Sequence, residues 1–129
     1  MTNLTLNVLP FRLAVCQIDV NDPIPEELFH LSFWSVTHTL EELSIILPEE
    51  AVQPGWKSEP GWRALQIPGP LEFSLFGVLA GISAPLAEAR ISIFALSTYN
   101  TDYILLKEVD LERAKTVLRQ SGYVVVQGR

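Results

Sequence analysis

The stretch ISIFALSTYNTDYILLKEVDLERAKTVLRQSGYVVV, residues 91–126, decides the fold. Two apolar runs, Ile91 to Ser97 and Tyr103 to Lys107, flank Thr98-Tyr99-Asn100-Thr101-Asp102. A five-residue connection is short enough to make the runs antiparallel neighbours in a hairpin. Asp110 then stands as the N-cap of a helix that carries Leu111, Ala114, Val117 and Leu118 along one side. Gly122 supplies the helix stop, and Tyr123 to Val126 reads as a closing strand.

Working upstream, Trp62 to Ile67 reads as a strand ended by Pro68-Gly69-Pro70. From Leu75 to Ala89 the apolar positions Leu75, Val78, Leu79, Ile82, Leu86 and Ala89 recur at spacings of three and four, which places them on one helical face. Pro85 removes one backbone hydrogen bond late in that helix, so a kink or change of pitch is expected there. The order strand, helix, strand, strand, helix, strand is the split βαβ arrangement: an α+β fold, ferredoxin-like βαββαβ, with a four-stranded antiparallel sheet and both helices on one face.

The first half shows strands without a convincing long helix. Leu4 to Leu9 and Arg12 to Ile18 read as extended segments around Pro10, and Asn21-Asp22-Pro23-Ile24-Pro25 as a loop. Leu31 to Thr37 and Leu43 to Leu47 fit strands, with Thr39 placed to cap a single turn between them. Pro48 to Gly61 holds enough prolines and glycines to read as irregular, and it marks the boundary between residues 1–60 and 61–129.

Composition narrows the function. A chain of 129 residues holds one compact domain or two small ones around a shared core. A hydrophobic fraction of 48% together with a mean hydropathy of +0.24 points to apolar surface buried between subunits, hence to an oligomer. The formal charge of −6 disfavours nucleic acid and membrane surfaces, because both are bound through Lys and Arg. Neither a secretory signal nor a membrane-spanning run is visible, so a cytoplasmic protein is expected. The lone Cys16, within Leu13-Ala14-Val15-Cys16-Gln17-Ile18, reads as core filler.

No catalytic constellation emerges. His30 and His38 lie eight apart with no helix to align them as metal ligands, and the pairs Glu41-Glu42 and Glu49-Glu50 point in diverging directions. Nucleophile-elbow, phosphate-loop and dinucleotide patterns are absent. The tryptophans Trp34, Trp56 and Trp62 read as core or interface residues. The expectation is a non-enzyme without cofactor or metal.

Several motifs carry a family likeness. Gly77-Val78-Leu79-Ala80, Pro85-Leu86-Ala87, Ile91-Ser92-Ile93-Phe94 and Ser97-Thr98-Tyr99-Asn100-Thr101-Asp102-Tyr103-Ile104-Leu105 resemble the ACT domains of the cytosolic arginine sensors of animals and of small bacterial ACT proteins. They resemble, more loosely, the regulatory domains of aspartate kinases. Val8-Leu9-Pro10-Phe11-Arg12-Leu13 and Phe33-Trp34-Ser35-Val36-Thr37-His38-Thr39 are similar to the sensors' opening segments.

The resemblance implies tandem ACT units, residues 1–60 being a degenerate copy, that bind a free amino acid between ACT faces without catalysis. The chain is about half the length of such a sensor, and a homodimer restores the missing partner. By this likeness Ser92 and Ile93 offer hydroxyl and backbone groups to the ligand carboxylate. Thr98, Tyr99, Thr101 and Asp102 contact its other side, Asp102 pairing with a cationic group. Leu75, Gly77, Val78 and Leu79, at the turn into the helix, approach with backbone amides. Two departures stand out. Where the sensors carry an acidic residue near the helix start, this chain has Leu75, with Glu72 three residues earlier as a possible substitute. Arg90 occupies a place where related chains often have Gly, and is open to a role as anion contact or interface charge. A protein-interaction scaffold with a vestigial ligand site is the alternative reading, and a regulated protein target is compatible with either.

Overall fold

A computed structural model describes residues 4–67 and 77–128. By packing, the chain divides into two units: residues 1–10 with 63–129, and residues 11–62. Residues 4–10 belong to the unit that holds the second half of the chain.

In the larger unit, β1 (Thr5–Val8) pairs in parallel with β8 (Val124–Gln127) and antiparallel with the end of β5 (Lys57–Ile67). β7 (Asp102–Lys107) pairs with β5 and with β6 (Ile93–Ser97), so the strands run β8-β1-β5-β7-β6. The four strands expected from residues 62–126 are all present, and β1 is added among them. Its alternation explains the insertion: Leu6 and Val8 are fully buried in the core shared with the helices, while Asn7 is turned the other way.

Two helices supply the cover, α1 (Val78–Glu88) and α2 (Leu111–Gln120). Ile82 and Leu86 of α1, with Leu111, Ala114 and Leu118 of α2, pack on Leu65, Ile67, Ile104 and Leu106 of the sheet. Burying such a face is what makes a short amphipathic helix stable. α1 continues through Pro85. Arg90 follows it at φ 62°, the left-handed conformation that ends the helix and that glycine adopts more cheaply. Asp110 departs from expectation. It occupies the N-cap position with helical dihedrals, where a capping residue is extended, and makes no side-chain cap hydrogen bond; its carboxylate pairs with Arg113 at 2.9 Å. A short 3₁₀ turn, Glu108–Asp110, leads into α2 instead.

In the smaller unit β2 (Leu13–Ile18) lies between β4 (Leu43–Pro48) and the start of β5, and β3 (Ser35–His38) pairs with β4. Ala14, Cys16, Ile18, Leu43, Ile45 and Leu47 form its core, covered by Leu28, Trp34 and Trp56. Thr39 Oγ1 accepts from the backbone N–H groups of Glu41 and Glu42, both at 3.1 Å, and shapes the β3–β4 turn.

Two expectations for this region are corrected. Residues 31–34 are not strand: a 3₁₀ turn at Glu26–His30 buries Leu28 and is closed by the Leu31 N–H donating to the Leu28 carbonyl at 3.0 Å, which delays β3 to Ser35. Nor is all of Pro48 to Gly61 irregular, since β5 begins at Lys57 and runs through Pro60 and Gly61. Leu13 pairs with Trp62 and Val15 with Glu59, so β5 holds one residue more than β2 at this point. This is a bulge. Gly61 takes φ 84°, and its N–H, turned out of the ladder, donates to Glu49 Oε2 at 2.7 Å. A breaker pair thus marks a bulge rather than the end of the strand.

Candidate functional site

The β6–β7 hairpin is fixed by its turn. The Thr98 N–H donates to the Thr101 carbonyl at 2.8 Å, Thr98 Oγ1 donates to the same oxygen at 3.1 Å, and the Thr101 N–H donates back to Thr98 Oγ1 at 3.2 Å. Thr101 is only 7% exposed, and its own hydroxyl has no hydrogen-bond partner among the described residues. A buried hydroxyl left unpaired costs free energy that a ligand or an ordered water can return. Asp102 follows, half-buried at the start of β7 opposite Ser97, and makes no ion pair among the described residues. Tyr99, at the tip, is 86% exposed.

The start of α1 lies at this same end of the unit. Asn7 pairs with Gln66, and the Gln66 side-chain amide donates to the Tyr103 hydroxyl at 3.2 Å, so the end of β5 meets the start of β7. Thr5 pairs with Val124, which brings the start of β8 to this end as well. A Cβ built on Gly81 would stand 2.8 Å from the Tyr123 hydroxyl, so the first turns of α1 lie over the start of β8. Gly77 takes φ 75° ahead of the helix, and its carbonyl accepts from the Gly81 N–H at 2.7 Å. Val78 and Leu79 pack partly into the core. Their backbone N–H groups belong to the first turn, where a helix has no internal acceptors for them.

Ser92 and Ile93 stand elsewhere. Ile93 pairs with Leu106 at the far end of the hairpin, and Ser92, exposed, precedes it. From Ser92 to Ser97 is about 17 Å at ~3.3 Å per strand residue. The residues expected to surround one amino acid therefore fall into two groups: Gly77, Val78, Leu79, Thr98, Tyr99, Thr101 and Asp102 at one end, and Ser92 with Ile93 at the other. Glu72 and Leu75 lie outside the described residues. Gln66 and Tyr103, which the sequence reading did not single out, share the first end. The alternation of β5 and β7 is the signal that could have found them.

Among the described residues two groups are electrostatically displaced, both outside this set. Burial raises the Cys16 thiol above its ordinary 9.0, opposed by a hydrogen bond with Ser58, and burial raises the Tyr123 phenol above 10.0. Among the described residues no group of His, Cys, Asp and Glu is arranged to hold a metal ion, and no helix is long and apolar enough to cross a membrane.

The ACT-domain profile matches residues 57–120, the βαββα portion that carries both ends of the hairpin. The chain is an ACT-domain protein. A separate profile, for an N-terminal domain, matches residues 12–55, close to the smaller unit. Subunit 1 of the bovine (Bos taurus) cytosolic arginine sensor for mTORC1 is 32% identical over 94 residues, which cover 61% of this chain and 27% of the sensor. The chain thus spans about a quarter of that relative's length. A crystallised protein of Agrobacterium tumefaciens superposes with a TM-score of 0.90 at 26% identity, covering 100% of this chain and 96% of that one. The ligand-free regulatory subunit of aspartate kinase from Thermus thermophilus superposes at 0.61 with 13% identity, over 86% of this chain and 93% of its own, and so shares the fold.

Proposed function

We propose that the chain is a non-catalytic, cytoplasmic regulatory module that binds a free amino acid where two ACT units of a homodimer meet. The observation that carries this reading is the separation of the site residues to opposite ends of β6, a strand that pairs only with β7 among the described strands. A free edge accepts another strand. Antiparallel pairing of β6 with its own copy about a two-fold at Ala95 sets Ile93 of one copy against Ser97 of the other, and Ser92 against Thr98. The two halves of the site then come together twice, once on each side of the axis.

In that arrangement Asp102 of one copy meets the ligand ammonium and the Thr101 hydroxyl gains a partner. Ser92, the amides beside it and the first-turn amides at Val78 and Leu79 serve the carboxylate. An ion pair held in a partly dry interface is stronger than one in water. The ligand alters a protein target by favouring the paired state, since it shifts an equilibrium only by its differential affinity for two states. Residues 1–60 are, in this reading, a degenerate ACT-like half. The arginine of the related sensor is one candidate ligand among the amino acids.

Thermal shift against the twenty amino acids should return at least one stabilising ligand, because whatever binds the folded state raises its stability. Asp102→Asn should abolish that response. Ala95→Glu opposes two like charges across the axis and should yield a monomer that no longer responds. No response to any amino acid would favour a scaffold with a vestigial site.

A further inference from the structure

Charge is unevenly divided along the chain. The smaller unit, residues 11–62, holds nine acidic and two basic residues, net −7, whereas the remainder holds six and seven, net +1. Within the smaller unit a cleft of about 460 Å³ opens between the end of β2, the β3–β4 turn and the segment leading into β5. Ile18 and Trp56 give it an apolar wall. Asp19, Asp22 and Glu41 stand around it, with Lys57 as the single cation in its lining. The three carboxylates are not arranged to share a metal ion. They are exposed and distributed, as suits a ligand that brings several separate positive groups.

We propose that this cleft docks a Lys- or Arg-rich segment of a partner protein, one cationic side chain lying along Trp56 and its charge meeting Asp19 and Glu41. The argument is complementarity on two scales. The net −7 field attracts a basic segment from a distance and speeds encounter. The cleft then gives one guanidinium or ammonium an aromatic face and flanking carboxylates, a pairing that neither supplies alone. An acidic partner is excluded by the same field. A lone small cation leaves most of the field unused, which is why a segment is favoured over a free amine. This surface is separate from the ACT site and does not depend on an amino acid being bound there.

The test uses the full chain and a fluorescein-labelled peptide of alternating Arg and Gly, with an alternating Gln and Gly peptide as control, read by anisotropy at physiological salt. The basic peptide should bind and the Gln peptide should not. The double variant Asp19→Asn/Glu41→Gln should weaken binding about tenfold, while Glu27→Gln/Glu50→Gln, which removes the same charge from residues outside the cleft, should weaken it less than about twofold, as expected for a screened field. With Trp34 and Trp62 replaced by Phe, the Trp56 emission should respond to the peptide. Equal losses in the two double variants would overturn the cleft and leave only net charge. Spermine binding as tightly as the peptide, with the same dependence on Asp19 and Glu41, would overturn the peptide as occupant. The amino-acid response should survive in the cleft variant. Failure of the unaltered chain to bind the basic peptide, with its amino-acid response intact, contradicts this inference alone, and peptide binding without any amino-acid response contradicts the ACT reading alone.

Discussion

The two units answer the same problem, a sheet with one apolar face to cover, with different means. In the larger, α1 and α2 lay Ile82, Leu86, Leu111, Ala114 and Leu118 across the strands. In the smaller, no helix longer than a 3₁₀ turn is present among the described residues, and Leu28, Trp34 and Trp56 reach over the core from turns and loops. Helices fix a cover through many bonds at once, whereas turns fix it through single anchors.

Truncation of buried residues probes this difference most strongly. Ile82→Ala, on the buried face of α1, should cost about 4 kcal/mol, toward the upper part of the usual range. Ile45→Ala, equally buried beneath turns, should cost about 2 kcal/mol, because a cover held by single anchors can settle into the gap. Urea titrations of both variants would show it, and equal costs would break the comparison. Backbone strain gives a smaller pair of opposite sign. Gly61→Ala, at φ 84° in the β5 bulge, should lose about 1–2 kcal/mol. Arg90→Gly should gain about 0.5 kcal/mol, the relief of a left-handed non-glycine residue less the added freedom of the unfolded chain.

A pH effect is smaller again. Cys16, in the smaller unit, and Tyr123, in the larger, have folded-state values raised above 9.0 and 10.0. Each favours the folded state below its unfolded value, and that contribution is lost as pH rises through the folded value. Stability should therefore decline above about pH 9, first through Cys16. Cys16→Ala should remove the earlier part of the decline and Tyr123→Phe the later part, as followed by melting temperature across an alkaline series.

Much of the larger unit was legible because each element carried its own period. The 3.6-residue spacing of Leu111, Ala114 and Leu118 and the alternation along Tyr103 to Lys107 need no tertiary information. The insertion of β1 was not legible, since nothing local to Thr5–Val8 says that Leu6 and Val8 will share a core with residues some sixty to a hundred and twenty positions away. Pro60 and Gly61 misled for a related reason: breakers end an isolated strand, but in a paired one the partner's register turns them into a bulge. Asp110 failed as a cap because the 3₁₀ turn Glu108–Asp110 already gives it helical dihedrals, where a capping residue is extended. The candidate site shows the same limit. Its residue types were readable from the motifs, and their distribution to the two ends of β6 required the hairpin register.

That distribution makes the central claim testable by complementation. Asp102→Asn removes one half of the shared site and Ser92→Trp blocks the other, so each variant alone should fail to bind the amino acid found by thermal shift. Mixed and allowed to exchange subunits, the two should form dimers in which an unaltered Ser92 from one chain faces an unaltered Asp102 from the other. Calorimetric titration of the mixture should then recover binding, at about one ligand per mixed dimer. A mixture as inert as its parents, with exchange demonstrated, would contradict a site shared between two copies.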